Sequence, residues 1–111
     1  MVERASVLEE ELTRIVGNLR ERYQPSCVIL FGSLARGQAR EGSDIDLCLI
    51  KETDCPFLDR LRDARIAADA HEALDILVYT PGEWREMLRQ GNYFVRDEIL
   101  GRGRVLYGKP A

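Results

Sequence analysis

The chain has 111 residues, 45% of them apolar and 32% charged, with 16 basic side chains against 19 acidic ones and a formal net charge of −3. That size suits one compact domain over residues 1–111, and the absence of a long basic run argues against a chain built mainly to grip long nucleic acid. No apolar run approaches the roughly eighteen residues of a membrane helix, and the N-terminus MVERASVLEEELTR is acidic where a signal peptide is basic and then apolar, so a cytoplasmic protein without a membrane segment is expected.

Val7, Leu8, Leu12, Ile15, Val16 and Leu19 recur at helical spacing, which predicts an amphipathic helix over residues 4–22. Beyond Pro25, the run Cys27 to Phe31 is continuously apolar and ends at Gly32, as a strand buried on both faces would. Ser33 then serves as the expected cap of a short helix to Arg36. Gly37 and Gly42 punctuate a polar loop, and Asp44 to Ile50 reads as the second strand, with residues 44, 46, 48 and 50 on one face. Asp54 and Pro56 signal the start of a helix to about residue 72, followed by a third strand, Asp75 to Tyr79. Thr80-Pro-Gly-Glu83 has capping-box spacing and opens a helix through Arg89. Residues 93–100 form another turn or two of helix, and Arg104 to Tyr107 a short edge strand.

The alternation of helix and strand predicts an α/β (or α+β) fold, a small mixed sheet flanked by helices. Strand 44–50, its helix and strand 75–79 have the length of one βαβ unit, so these two strands are expected to be parallel. Asp75 then lies at the same sheet end as Asp44 and Asp46, and an antiparallel first strand brings Gly32-Ser33 there too. Cys27, Cys48 and Cys55 form no Cys-x-x-Cys pair and read as reduced, structural thiols. His71 lacks a companion at metal-ligand spacing, which disfavours zinc and leaves it a helix-surface residue.

Three carboxylates at one sheet edge repel one another unless a cation lies between them. Mg²⁺ suits such a set, because it takes one or two carboxylates with waters and substrate phosphates, and two ions can serve both oxygens of a phosphoryl displacement. A glycine turn lets backbone approach phosphate closely, and N–H groups there bind its oxygens. Together these features predict metal-assisted nucleotidyl transfer.

The motif GSLARGQAREGSDIDL, with Gly32-Ser33, Ser43, Asp44-x-Asp46 and a later Asp75, resembles the polymerase-beta-type nucleotidyltransferase superfamily, and most of all its minimal, MNT-type members, over about residues 28–79. The resemblance implies Asp44, Asp46 and Asp75 as the catalytic, metal-binding acids, with Asp75 also near the proton of the acceptor hydroxyl. Gly32 and Ser33 would hold the triphosphate of ATP or another NTP, with Arg36 and Ser43 as further nucleotide contacts and Arg40 a weaker candidate. It further implies a HEPN-domain helical partner, with this chain as the antitoxin that adenylylates a tyrosine of the toxin. A non-catalytic antidote and an aminoglycoside-type, small-molecule transferase are the alternatives, and an apolar surface left for a missing helical domain makes a homodimer or hetero-complex plausible. Bland readings stand beside these: Asp44 as a turn residue next to Ser43, Glu72 or Asp69 as the third acid, Arg36 as a solvated charge, and Tyr93 and Phe94 as packing residues rather than a base-stacking platform.

Overall fold

The computed structural model describes residues 4–40 and 42–110. Along the chain these form α1 (Arg4–Arg22), β1 (Cys27–Phe31), α2 (Gly32–Ala35), β2 (Ile45–Ile50), α3 (Phe57–Ala68), β3 (Leu74–Tyr79), α4 (Pro81–Arg89), a wide π-helix (Phe94–Gly101) and β4 (Arg104–Gly108). The strands make one mixed sheet in the order β3-β2-β1-β4. β2 and β3 are parallel, as the sequence pattern predicts, while β1 is antiparallel to both β2 and β4.

Strand alternation sorts the core into two layers. Val28, Leu30, Ile45, Leu47, Leu49, Ile76 and Val78 face α1 and α3, meeting Leu8, Leu12, Ile15 and Leu19. Cys27, Ile29, Phe31, Cys48 and Ile50 face the other way, onto Trp84 of α4 and Val95 and Ile99 of the π-helix. The central strands are therefore apolar on both faces, which explains why they read as continuous hydrophobic runs. Cys27 and Cys48 are buried free thiols in this second layer and Cys55 is exposed; burial pushes the Cys27 thiol up to about 11 and that of Cys48 above its usual value. Among the described residues no helix is long and apolar enough to cross a membrane.

Several boundaries differ from the sequence reading, each for a local reason. Phe31, not Ser33, is the N-cap of α2, and it supplies no side-chain cap bond; the helix begins at Gly32 and Ser33 lies inside it. β2 starts at Ile45, whose N–H donates to the Ala73 carbonyl at 3.0 Å, so Asp44 sits in the preceding loop and only Asp46 is on the strand. Pro56 takes the cap position of α3 in place of Asp54.

That helix stops at Ala68, not near residue 72, because α1 caps it from outside. Asn18 donates to the Ala68 carbonyl at 2.9 Å and Arg14 to that of Asp69 at 2.6 Å, while Asp69 turns left-handed at φ 48°. Glu11, buried at 8% exposure, then draws in the backbone N–H groups of His71 and Glu72. His71 thus lies in a turn, exposed, rather than on a helix surface.

The capping box forms as expected: Glu83 N–H donates to Thr80 Oγ1 at 3.1 Å and Thr80 N–H to Glu83 Oε1 at 2.8 Å. Glu83 does more than cap, since the buried Arg60 of α3 pairs with it at 2.7 Å and ties the two helices together.

Glu11 is the polar peg that sets where β3 begins. Its carboxyl is held below the usual carboxylate range by the Arg14 bond, against the opposing effect of burial, with the His71 and Glu72 N–H groups adding to the lowering. A lowered folded-state pKa gives stability that is present above the ordinary value and lost as pH falls through the folded one. Glu11→Ala is expected to lose about 2 kcal/mol near neutral pH, with the deficit shrinking below about pH 4, as read by urea unfolding.

Candidate active site

The first link is a row across the sheet. Phe31 on β1 is paired with Asp46 on β2, and Asp46 with Asp75 on β3. Register partners on adjacent strands project side by side, so the parallel β2–β3 pairing, rather than proximity in sequence, brings these two carboxylates together. Both lie on the α4 and π-helix face, beyond the last of that layer's apolar residues. Asp46 is half-buried and Asp75 exposed, so the row runs from core to solvent.

The second link is the turn after β1. Gly32 has φ +78°, and a Cβ added there would lie 2.1 Å from Asp46 Oδ2 and 3.0 Å from its Cγ. The glycine is required twice over, by its left-handed backbone and by the carboxylate pressed against it. Ser33 follows on α2 and lines a cleft of about 460 Å³ together with Arg36, Gln38, Arg40, Gly42 and Ser43. The sequence-predicted nucleotide contacts thus share one cavity, with Gly32 joining it to the carboxylate row.

Electrostatics give the row its character. Asp46 is pushed up to about 6 from an ordinary 3.8, first by burial, then by the charges of Asp75 and Asp44 and by hydrogen bonding with Asp75, while Arg36 pulls the other way. Among the described residues, none of the three carboxylates accepts a hydrogen bond from a basic side chain or a backbone N–H. They form an acidic set that Arg36 offsets only in part, which is the donor chemistry a hard divalent cation takes. No three His, Cys, Asp or Glu side chains among the described residues form a ready-made metal cage. The chain's own oxygens fit part of a Mg²⁺ shell, in the manner of sites completed by water and substrate.

The other sequence candidates separate clearly. Glu72 is engaged by Arg4, and Asp69 lies 4.0 Å from Arg14, so neither replaces Asp75 in the row. Ser43 Oγ accepts from the Arg40 N–H at 2.9 Å and its carbonyl from Arg4 at 2.9 Å, so Ser43 shapes the loop as well as lining the cleft. Phe94 packs edge-on against Phe31, with centroids 5.6 Å apart, and Tyr93 beside it is 64% exposed. Sequence reasoning passed over Glu98, which bonds Arg36 from the π-helix 62 residues away. Nothing in the local pattern around Glu98 signals that contact.

The matches to known proteins run over nearly the whole chain. The family model described as polymerase beta, nucleotidyltransferase matches residues 13–111. The chain is 33% identical over 96 residues to the probable protein adenylyltransferase MntA of Haemophilus influenzae, covering 83% of this chain and 84% of that protein. A candidate nucleotidyltransferase from Sulfolobus solfataricus shares the fold with a TM-score of 0.59 at 18% identity, over 94% of this chain and 88% of that one. A toxin–antitoxin crystallised with AMP-PNP does so with a TM-score of 0.54 at 19% identity, over 87% and 73%.

Two variants test the geometry without any ligand. Gly32→Ala is expected to destabilise the fold by about 1–3 kcal/mol through backbone strain and displacement of Asp46, measured as a lowered denaturation midpoint. For Asp46 the folded-state pKa is raised, so its favourable contribution is present below about pH 4 and lost as pH rises through about 6. Asp46→Asn is therefore expected to be more stable than the parent by about 1 kcal/mol near pH 7.5 in EDTA, after allowance for solvent at a half-buried group, and equal to it near pH 4.

Proposed function

The chain belongs to the polymerase beta nucleotidyltransferase family, and on that premise we propose that it transfers AMP from ATP to a tyrosine hydroxyl of a HEPN-type toxin and so acts as the antitoxin. The observation that carries this reading is the Phe31–Asp46–Asp75 row beside a polar cleft, with Gly32 backbone pressed onto the first carboxylate. Protein as acceptor is supported by the adenylyltransferase name of the Haemophilus influenzae relative. The toxin–antitoxin crystallised with AMP-PNP shares the fold, which is compatible with a partner of that kind.

Each residue has a role that follows from where it sits. Gly32 and Ser33 bind phosphate oxygens at the mouth of the cleft, Arg36 neutralises phosphate charge, and Arg40 and Ser43 shape the opposite wall. Asp44, Asp46 and Asp75 would hold Mg²⁺, with water and substrate phosphates completing its shell. When bound, Mg²⁺ offsets the carboxylate repulsion and the negative charge developing on the phosphates. Asp75, the exposed member of the row, accepts the proton of the acceptor hydroxyl on a carboxylate oxygen as that oxygen forms its bond to the α-phosphorus. The α–β phosphoanhydride breaks and pyrophosphate leaves. Phe31 and Phe94 pack edge-on beside the inner end of the row, and the apolar surroundings strengthen the charge interactions there.

The test is transfer of label from α-labelled ATP with Mg²⁺ to the partner toxin, comparing the parent with Asp44→Asn/Asp46→Asn. The double variant is expected to lose at least about 10²-fold in rate while still binding the partner. Chelation with EDTA should abolish transfer by the parent. Neutralisation of the toxin by the double variant at full strength, without label, would instead establish an antidote that works by binding alone, and label on an aminoglycoside but on no protein would make it a small-molecule transferase.

A further inference from the structure

The contact between Arg36 and Glu98 joins the cleft to the π-helix, and neither composition nor motif explains it. Arg36 Nη1 donates to Glu98 Oε1 and its Nε to Gln38 Oε1 at 3.3 Å. On its far side Glu98 Oε2 lies 3.9 Å from Arg102 Nη1. The result is a chain of charges, Arg102–Glu98–Arg36, whose last member lines the cleft beside Ser33. Glu98 itself is outside the lining and 21% exposed, against 32% for Arg36.

We propose that Glu98 is a positioning residue: it fixes the Arg36 guanidinium at the cleft so that the remaining N–H groups are pre-aimed at phosphate. The assignment rests on the nucleotidyltransferase reading of the same cleft.

An arginine side chain has many rotamers, and ordering it at the moment of binding costs affinity. A carboxylate holding Nη1 removes much of that cost beforehand and leaves Nη2, which has no hydrogen-bond partner among the described residues, to meet a phosphate oxygen. The support for Glu98 is rigid: its π-helix is anchored by Val95 and Ile99 in the core, and Asn92 Oδ1 accepts from the Val95 N–H at 3.1 Å. Gly103 permits the tight exit from that helix, since a Cβ there would meet the Ile99 carbonyl at 2.0 Å. A wide helical turn of this kind is uncommon and tends to mark functional positions. Here it carries a carboxylate that reaches across to Arg36.

The experiment is a double-mutant cycle on ATP binding with Mg²⁺, read by calorimetry on the full chain, with transfer kinetics beside it. Glu98→Gln is expected to weaken ATP binding about tenfold and to raise KM with kcat changed less than about twofold. Arg36→Ala should weaken binding as well, and Glu98→Gln added to Arg36→Ala should have no further effect. An equal loss from Glu98→Gln in both backgrounds would show that Glu98 merely supports the fold, and tighter ATP binding by Glu98→Gln would show that it competes with phosphate for Arg36; either overturns the proposal. Should Glu98→Gln fail to fold, Glu98→Asp in the same cycle gives the answer, with an intermediate loss expected only when Arg36 is present. Absence of ATP binding by the parent would overturn the nucleotidyltransferase reading and this proposal with it, whereas parent binding unchanged by Glu98→Gln would overturn the Glu98 assignment alone.

Discussion

A carboxylate at the edge of an apolar layer is the constraint on which the rest of this structure depends. Asp46 continues the face of β2 that carries Cys48 and Ile50, and its neighbours in the row are Phe31 and Asp75. Burial and two further carboxylates all oppose its charge. An arrangement that unfavourable persists in a folded chain when the surroundings over-determine it, and here they do. The strands on either side are held by the core, and Gly32 lays bare backbone against the carboxylate where a side chain would collide.

The basic residues are distributed in a way that preserves this acidity. Arg14 and Arg65 satisfy carbonyls at the end of α3 and the start of β3, Arg60 pairs with Glu83, and Arg4 spans Ser43 and Glu72. Arg4, Arg14 and Arg65 hold the loops that lead into Asp44 and Asp75, while Arg60 braces the far end of β3 against α4. Arg36 lies beside the row, and it too has a carboxylate partner, Glu98. A net charge of −3 thus conceals a local division of labour: basic side chains brace the scaffold while one sheet edge is left acidic.

The two faces of the sheet divide stability from chemistry. The α1 and α3 layer is built from aliphatic residues at helical and strand spacing, and it holds the central strands in register. The α4 and π-helix layer is smaller and richer in aromatic side chains, and it ends at the carboxylate row. Trp84 fills its centre and Phe94 its outer rim, so that the wall of the site is also the margin of the core.

Periodicity and short motifs were enough to determine the order of elements, the parallel pairing of β2 with β3 and the capping box at Thr80, and they nominated Gly32, Ser33, Asp44 and Asp46 as candidates. All of these follow from interactions within a few residues or from the alternation of side chains along one strand. The limits of α2 and α3, the exclusion of Asp44 from β2, and the engagement of Glu72 and Asp69 by arginines away from the row were decided by tertiary structure. Helix α3 ends where Asn18 and Arg14 of α1 take the carbonyls of Ala68 and Asp69, Glu11 holds the backbone N–H groups just beyond, and Glu72 is withdrawn by Arg4. Glu98 belongs to the same class: its charge is plain in the sequence, but its partner lies 62 residues away and is chosen by how the π-helix packs on β1. Local spacing encodes which residues can face one another along an element; which of them meet across elements is set by packing, because long-range contacts depend on the whole core closing at once.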